Sequence, residues 1–244
     1  MTRLYDQAVD IDPARVRQFF DDRAKREKNA INAVMLQSEG SSIAIERDRY
    51  ERENLLPSLP QPGKILDLGC GAGRLATHYA PHGHTYMGID FSSELIVKGR
   101  ELHGDNPKVL FEIAEVPKID VANLPVQPPF DLIVVTGLLI YLNDGAVTET
   151  LRLLGELAAP TATIYLRESV SDIETRLTLK DFYSEELKEY YNGVYRTRAE
   201  LKAEFAKTLE HDRFAIAAEG YVFQGALRNR VETTQYFYRF ERNQ

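Results

Sequence analysis

Residues 65–73 read Ile65-Leu66-Asp67-Leu68-Gly69-Cys70-Gly71-Ala72-Gly73, an apolar run broken by one acid and then three glycines at every second position. The apolar run has the pattern of a strand buried on both faces. Glycines directly after it let the chain turn with positive φ and bring its backbone against a ligand. The spacing predicts a strand, a cofactor-binding turn and a helix opening near Gly73. Dinucleotide-binding oxidoreductases space their glycines differently, as G-x-G-x-x-G around a pyrophosphate. The acid at Asp67 is a poor neighbour for pyrophosphate and a good one for a cofactor that presents an ammonium and a sulfonium.

About twenty residues further on, the distance a βαβ unit needs, lies Thr85-Tyr86-Met87-Gly88-Ile89-Asp90-Phe91. A carboxylate at Asp90 can accept two hydrogen bonds from a ribose cis-diol, and Phe91 offers an apolar face to an adenine. Together the two stretches resemble motif I and the next acidic strand end of the class I methyltransferases that use S-adenosylmethionine (SAM). The resemblance covers residues 64–168. It implies SAM as cofactor and S-adenosylhomocysteine as product, with Asp67, Gly69, Cys70, Gly71, Gly73, Asp90, Phe91 and Ser92 around it. It also implies an acid against the adenine amino group. Asp120 with Val121, ahead of Leu124-Pro125, is the candidate, and Glu115 is the alternative. Thr136 closes the fourth core strand, and Phe19-Phe20-Asp21-Asp22-Arg23-Ala24 looks like the helix that closes over SAM, bringing Arg23 with it.

The expected fold is α/β: a doubly wound, seven-stranded, mostly parallel sheet with helices on both faces, plus N-terminal helices and a helical cap inserted after the fifth strand. Four segments make one structural domain: a helical lid over 1–63, the SAM-binding core over 64–171, a helical cap over 172–212, and C-terminal strands over 213–244. Local signals set several boundaries. Asp12 before Pro13 marks a helix start, with Val16, Phe19, Phe20 and Ala24 on one face. A second helix is expected from Ser42 to Leu56. Thr197-Arg198-Ala199-Glu200 is a capping box that predicts a helix to about Leu209.

Composition narrows the function. A net charge of -7, from 37 acidic and 30 basic residues without a basic run, speaks against phosphate-tracking nucleic-acid binding. Cys70 is the single cysteine, so no intrachain disulfide can form, and a reducing, cytoplasmic setting is expected. The longest apolar run, 132–142, is interrupted by Thr136 and Gly137 and is too short to cross a bilayer. No metal site is expected, and the chain is read as a monomer or homodimer.

Ligands of open α/β sheets bind beyond the carboxyl ends of the strands. All five histidines, His78, His82, His84, His103 and His211, fall elsewhere. The stretch after the fourth strand, Leu138-Leu139-Ile140-Tyr141-Leu142, lacks the Asn-Pro-Pro-Tyr type of sequence with which nucleobase amine methyltransferases hold their target. SAM carries an activated methyl group, so the protein mainly has to align a nucleophile. A base is needed only for an alcohol or a protonated amine, and Tyr141 or Glu168 is the candidate. Tyr141, Arg167, Tyr195, Arg196 and Arg198 are expected to hold the acceptor, since guanidinium groups pair bidentately with carboxylate and phosphate. The expected function is methylation of an oxygen or nitrogen of a small anionic metabolite, of a polysaccharide-precursor or specialised-metabolite pathway. The alternative is a non-catalytic SAM-binding interaction or regulatory protein.

Overall fold

Five apolar runs become parallel neighbours because amphipathic helices carry the chain back between them and cover both faces. In the computed structural model these strands are β2 (Lys64–Leu68), β3 (Thr85–Asp90), β4 (Val109–Ile113), β5 (Phe130–Thr136) and β6 (Ala158–Ser171). Residues 2–27, 42–185, 187–228 and 230–242 are described. Two late strands, β9 (Phe214–Tyr221) and β10 (Thr233–Arg242), complete a seven-stranded sheet of order β4-β3-β2-β5-β6-β10-β9. Only β10 runs antiparallel to the rest, pairing with β6 on one side and β9 on the other. Ile65, Leu66, Leu68, Leu132, Ile133, Val134 and Val135 are fully buried, as strands covered on both faces require.

Helix α1 (Pro13–Arg26) is capped by Asp12, whose Oδ1 accepts from the Ala14 amide at 2.9 Å. Helix α2 (Ile43–Asn54) follows, and residues 28–41 of the expected lid lie outside the described residues. The helix expected from Gly73 is short: α3 spans Ala76–Tyr79 and tightens into a 3-10 turn over Ala80–His82. Pro81 has no N–H to continue the ladder, and Gly83 ends it at φ 86°. Helices α4 (Ser93–His103) and α5 (Asp144–Leu157) cross between strands as expected, and α6 (Arg198–Lys207) carries the complete capping box.

The cap is largely β rather than helical. Residues 177–195 form a hairpin of β7 (Leu177–Ser184) and β8 (Glu189–Tyr195), and β1 (Thr2–Tyr5) adds antiparallel to β7 as a third strand. Leu177-Thr178-Leu179 alternates with period two, and Tyr191, Gly193 and Tyr195 share one strand face. The expected insert is helical, whereas this periodicity, and the insert's tyrosines, are those of a strand. This sheet buries Leu177, Leu179, Tyr191 and Val194 against Ile11, Val16, Phe19, Phe20 and Ala24 of the α1 region. Lid and cap therefore form one roof with its own small core.

Candidate active site

The register aligns Leu68 with Ile89 and Val135, and Thr136 with Arg167, so the carboxyl ends of β2, β3, β5 and β6 share one edge of the sheet. There the roof and the sheet enclose a cavity of about 500 Å³. Gly69, Gly71 and Gly73 have φ of 71°, 57° and 71°, all in the left-handed region. An ideal Cβ on Gly73 would also lie 2.5 Å from Phe111 Cζ. The every-second-residue glycine spacing is thus a conformational requirement.

Asp67, Gly69 and Cys70 form one cavity wall. Asp67 Oδ2 accepts from Tyr86 Oη at 2.6 Å, while Oδ1 is buried without a hydrogen-bond partner among the described residues. Burial pushes this carboxyl up to about 7, against the pull of the Tyr86 hydrogen bond. A buried acceptor without a partner, on a residue that lines the cavity, suits a donor from a ligand. The ammonium of SAM fits it, with glycine backbone beside it.

Asp90 is 6% exposed. It accepts from the Gly71 amide through Oδ2 and from the Ser92 amide through Oδ1, both at 2.9 Å. Two of its roughly four acceptor positions are thereby taken, leaving capacity for a diol. Burial raises Asp90 to about 6 despite these two amides. The carboxylate therefore also fixes the glycine turn to the start of α4. Asp90, Phe91 and Ser92 do not line the cavity, because α1 covers them. Ser92 Oγ donates to Asp21 Oδ1 at 2.5 Å, and Phe20 packs on Phe91 at 6.2 Å between centroids. Arg17 lies over the Phe91 ring and pairs with Glu115 at 3.0 Å. Asp120 is exposed and accepts from Asn123, with Val121 beside it, and neither reaches the cavity. Arg23 is 1% exposed, stacked over Phe19 and 3.7 Å from Glu27, also away from the cavity.

The expected acceptor residues divide. Tyr141, Arg167 and Tyr195 line the cavity, as does Thr136, a residue expected beside the cofactor. Arg196 does not: it is 4% exposed and donates to the carbonyls of Leu139 and Leu142 and to Asp144. Arg198 lies outside as well, stacked over Tyr221 and Tyr236. Glu168, a candidate base, points into the turn after β5 and accepts from the amides of Leu138, Leu139 and Ile140. Tyr141 Oη meets Tyr191 Oη at 3.1 Å, and Tyr195 Oη donates to Tyr191 Oη at 3.2 Å. Burial pushes the hydroxyls of Tyr141 and Tyr191 well above the ordinary tyrosine range, so Tyr141 keeps its proton at neutral pH.

Most of the cavity's charge escapes a reading of the sequence. Six arginines, Arg3, Arg47, Arg74, Arg167, Arg228 and Arg230, line it against two carboxylates, Asp67 and Glu232. Arg3 pairs with Glu232 at 2.8 Å, Arg228 pairs with Asp172, and Arg74 and Arg167 share Glu51 of α2. No local signal marks these arginines, since they arrive from five separate places in the chain. Tyr191 was legible in principle from its period-two relation to Tyr195. No histidine lines the cavity, and no cluster of His, Cys, Asp or Glu suited to a metal occurs among the described residues. No described helix is long and apolar enough to cross a membrane.

Residues 66–164 match the profile of a family described as a methyltransferase domain. A wheat (Triticum aestivum) phosphoethanolamine N-methyltransferase 1 is 31% identical over 144 residues, covering 57% of this chain and 27% of the wheat protein. The Escherichia coli O-antigen chain terminator bifunctional methyltransferase/kinase WbdD is 32% identical over 125 residues, 49% of this chain and 17% of that protein. The chain thus spans well under half the length of these relatives. In fold, it superposes on Haemonchus contortus phosphoethanolamine N-methyltransferase 1 with a TM-score of 0.69 at 19% identity, over 94% of this chain and 48% of that one. The PH0226 protein of Pyrococcus horikoshii gives 0.63 at 15% identity, over 85% and 94%. Residues 66–164 are thus similar to a methyltransferase domain, and the glycine turn and strand order of that region give it the fold shared by these structures.

Proposed function

We propose that the chain transfers the methyl group of SAM to an oxygen or nitrogen of a small anionic acceptor bound between the glycine turn and the three-stranded roof. The observation that carries this is one cavity with an unpartnered Asp67 oxygen on its cofactor wall and six arginines around the remainder. SAM, when bound, supplies a methyl group already activated for displacement. The protein's part is then placement. Asp67 and the glycine turn hold the methionine end and, with α1 displaced from over it, Asp90 holds the ribose, while the roof excludes water and the arginines draw in an anion.

With Glu168 turned away and Tyr141 protonated, the favoured acceptor is a group already nucleophilic at neutral pH, such as a carboxylate, a phosphate oxygen or an unprotonated amine. The relatives named for phosphoethanolamine are compatible with an anionic acceptor. Two other relatives are named as ribosomal RNA methyltransferases. The negative net charge and enclosed cavity favour a small molecule here, and a cytoplasmic monomer or homodimer is part of the same reading.

The test is release of S-adenosylhomocysteine from SAM with phosphorylated, carboxylated and neutral amines and alcohols, and with RNA. Turnover confined to anionic small molecules is expected. SAM binding without release on any acceptor would favour the non-catalytic reading, and turnover on neutral compounds alone would refute the anionic acceptor.

A further inference from the structure

Glu168 closes the sequence of contacts that shapes the acceptor side of the cavity. On β6, one residue past its parallel pairing with β5, Glu168 is 1% exposed; its Oε1 accepts from the Leu138 amide at 2.9 Å and the Leu139 amide at 3.0 Å, and its Oε2 from the Ile140 amide at 3.4 Å. A short 3-10 turn, Leu139–Tyr141, begins at these amides. The first N–H groups of any helical turn lack partners within it, so a carboxylate here supplies what the turn cannot. At the other end Arg196 donates to the carbonyls of Leu139 and Leu142, each at 2.8 Å, and holds Asp144. Held at both ends, the turn delivers Ile140 and Tyr141 into the cavity.

We propose that Glu168 is the positioning residue of the acceptor site: by accepting three successive backbone N–H groups it fixes the turn that aims Tyr141 at the transferring methyl group. The catalytic half of this inference rests on the methyl-transfer reading. The structural half does not. An isosteric amide replaces the carboxylate only in part, because Glu168→Gln keeps one acceptor oxygen for the Leu138 and Leu139 amides but removes the charge and turns an NH2 toward the Ile140 amide. Glu168→Asp keeps the charge but withdraws it by one methylene. The charged and titratable groups that face Glu168 are Arg167, adjacent on β6, Arg196, whose charge is balanced by Asp144, and the hydroxyl of Tyr141. Burial pushes Glu168 up to about 7 against the pull of these amides and of Arg167, so acid weakens the clamp.

The test pairs amide hydrogen exchange with kinetics in Glu168→Gln, Glu168→Asp, Tyr141→Phe and the Glu168→Gln/Tyr141→Phe double variant. In Glu168→Gln, the protection of residues 138–140 should fall about tenfold or more while β5 keeps its own, with kcat reduced about tenfold and SAM affinity unchanged. Glu168→Asp should fall between it and wild type. Because the effect runs through Tyr141, Glu168→Gln should cost little further once Tyr141 is Phe. Wild-type protection at 138–140 in Glu168→Gln, or fully additive losses in the double variant, would overturn the proposal. Should Glu168→Gln not fold, Glu168→Asp takes its place in both measurements, and wild-type protection or full additivity there overturns the proposal in the same way. A loss of protection without turnover on any acceptor would instead refute the methyl-transfer reading and leave the turn assignment standing.

Discussion

Glu51 on α2 and Arg167, where β6 leaves its pairing with β5, form a buried ion pair, Nε to Oε1 at 3.1 Å, across 116 residues of chain. Glu51 is fully buried and also accepts from Arg74 at 2.7 Å, just beyond the glycine turn, and from Tyr165 Oη at 3.2 Å. Burial alone would raise this carboxyl, but Arg167 and Arg74 hold it down at about 2. A single carboxylate from the lid helix therefore orients two of the arginines that line the cavity.

Removing that carboxylate leaves the buried Arg167 guanidinium without its ionic partner and Arg74 with Asp48 alone. Glu51→Ala should destabilise the fold by about 3 to 5 kcal/mol, the range seen when one partner of a buried pair is lost. Denaturant unfolding of the two proteins checks this. A difference below about 1 kcal/mol would mean that the pair behaves as a solvated one.

Gly73→Ala tests the glycine turn with a single added methyl group. Its backbone sits at φ 71°, and the added methyl would lie 2.5 Å from Phe111 Cζ. Strain and overpacking should each cost about 1 to 3 kcal/mol. Thermal unfolding should record the loss, and SAM affinity should fall with it as the turn shifts. A variant with wild-type stability would show that Phe111 and the turn yield freely.

Cofactor binding should depend on pH through Asp67. Its folded value of about 7 lies above the ordinary carboxylate range, so the folded chain retains a proton that the unfolded chain has lost. Stability of the ligand-free protein therefore declines as pH rises from about 4 to about 7. Asp90, at about 6, and Glu168, at about 7, act in the same direction. Glu51 and Asp144, both at about 2, act oppositely and lose their contribution as pH falls from about 4 toward 2. An ammonium seated on Asp67 favours the ionised form, so SAM affinity should weaken up to about tenfold per pH unit below about 7. Calorimetry across that range decides the matter: a flat Kd would remove Asp67 from the cofactor's contacts.

Arg196 and Arg198 should behave differently from one another and from a cavity arginine. Arg198→Ala should leave the acceptor KM unchanged, since its guanidinium stacks on Tyr221 and Tyr236 outside the cavity. Arg196→Ala should lower both kcat and stability, because Asp144 and the carbonyls of Leu139 and Leu142 lose their donor. Arg167→Ala should raise the acceptor KM. Steady-state kinetics with an acceptor found by the turnover screen measures all three, and equal KM values across them would refute the arginine-lined acceptor site.

Asp90→Ala should weaken SAM binding about tenfold or more, because a diol acceptor is lost and the Gly71 and Ser92 amides lose theirs as well. Unchanged affinity in calorimetry would move the ribose elsewhere.

The parallel core and the glycine turn are legible in the amino acids alone, because both are written in local chemistry. Short apolar runs between turn signals suit an interior sheet buried on two faces, and three alternate residues at positive φ favour glycine. The helix start at Asp12 and the capping box at Thr197 are equally local, each a side chain reaching amides two or three residues away. What encloses the acceptor depends instead on the folded chain. Strand β1 exists because β7 pairs with it from some 175 positions away in sequence, and neither segment alone states that partnership. The cavity's arginines gather from β1, α2, the glycine turn, β6 and the segment before β10, so their joint field appears only when the chain has folded. Glu168 and Arg196 look like ligand-binding groups in sequence. Folding turns both onto backbone amides and carbonyls, because a buried turn must have its polar groups satisfied from some other part of the chain.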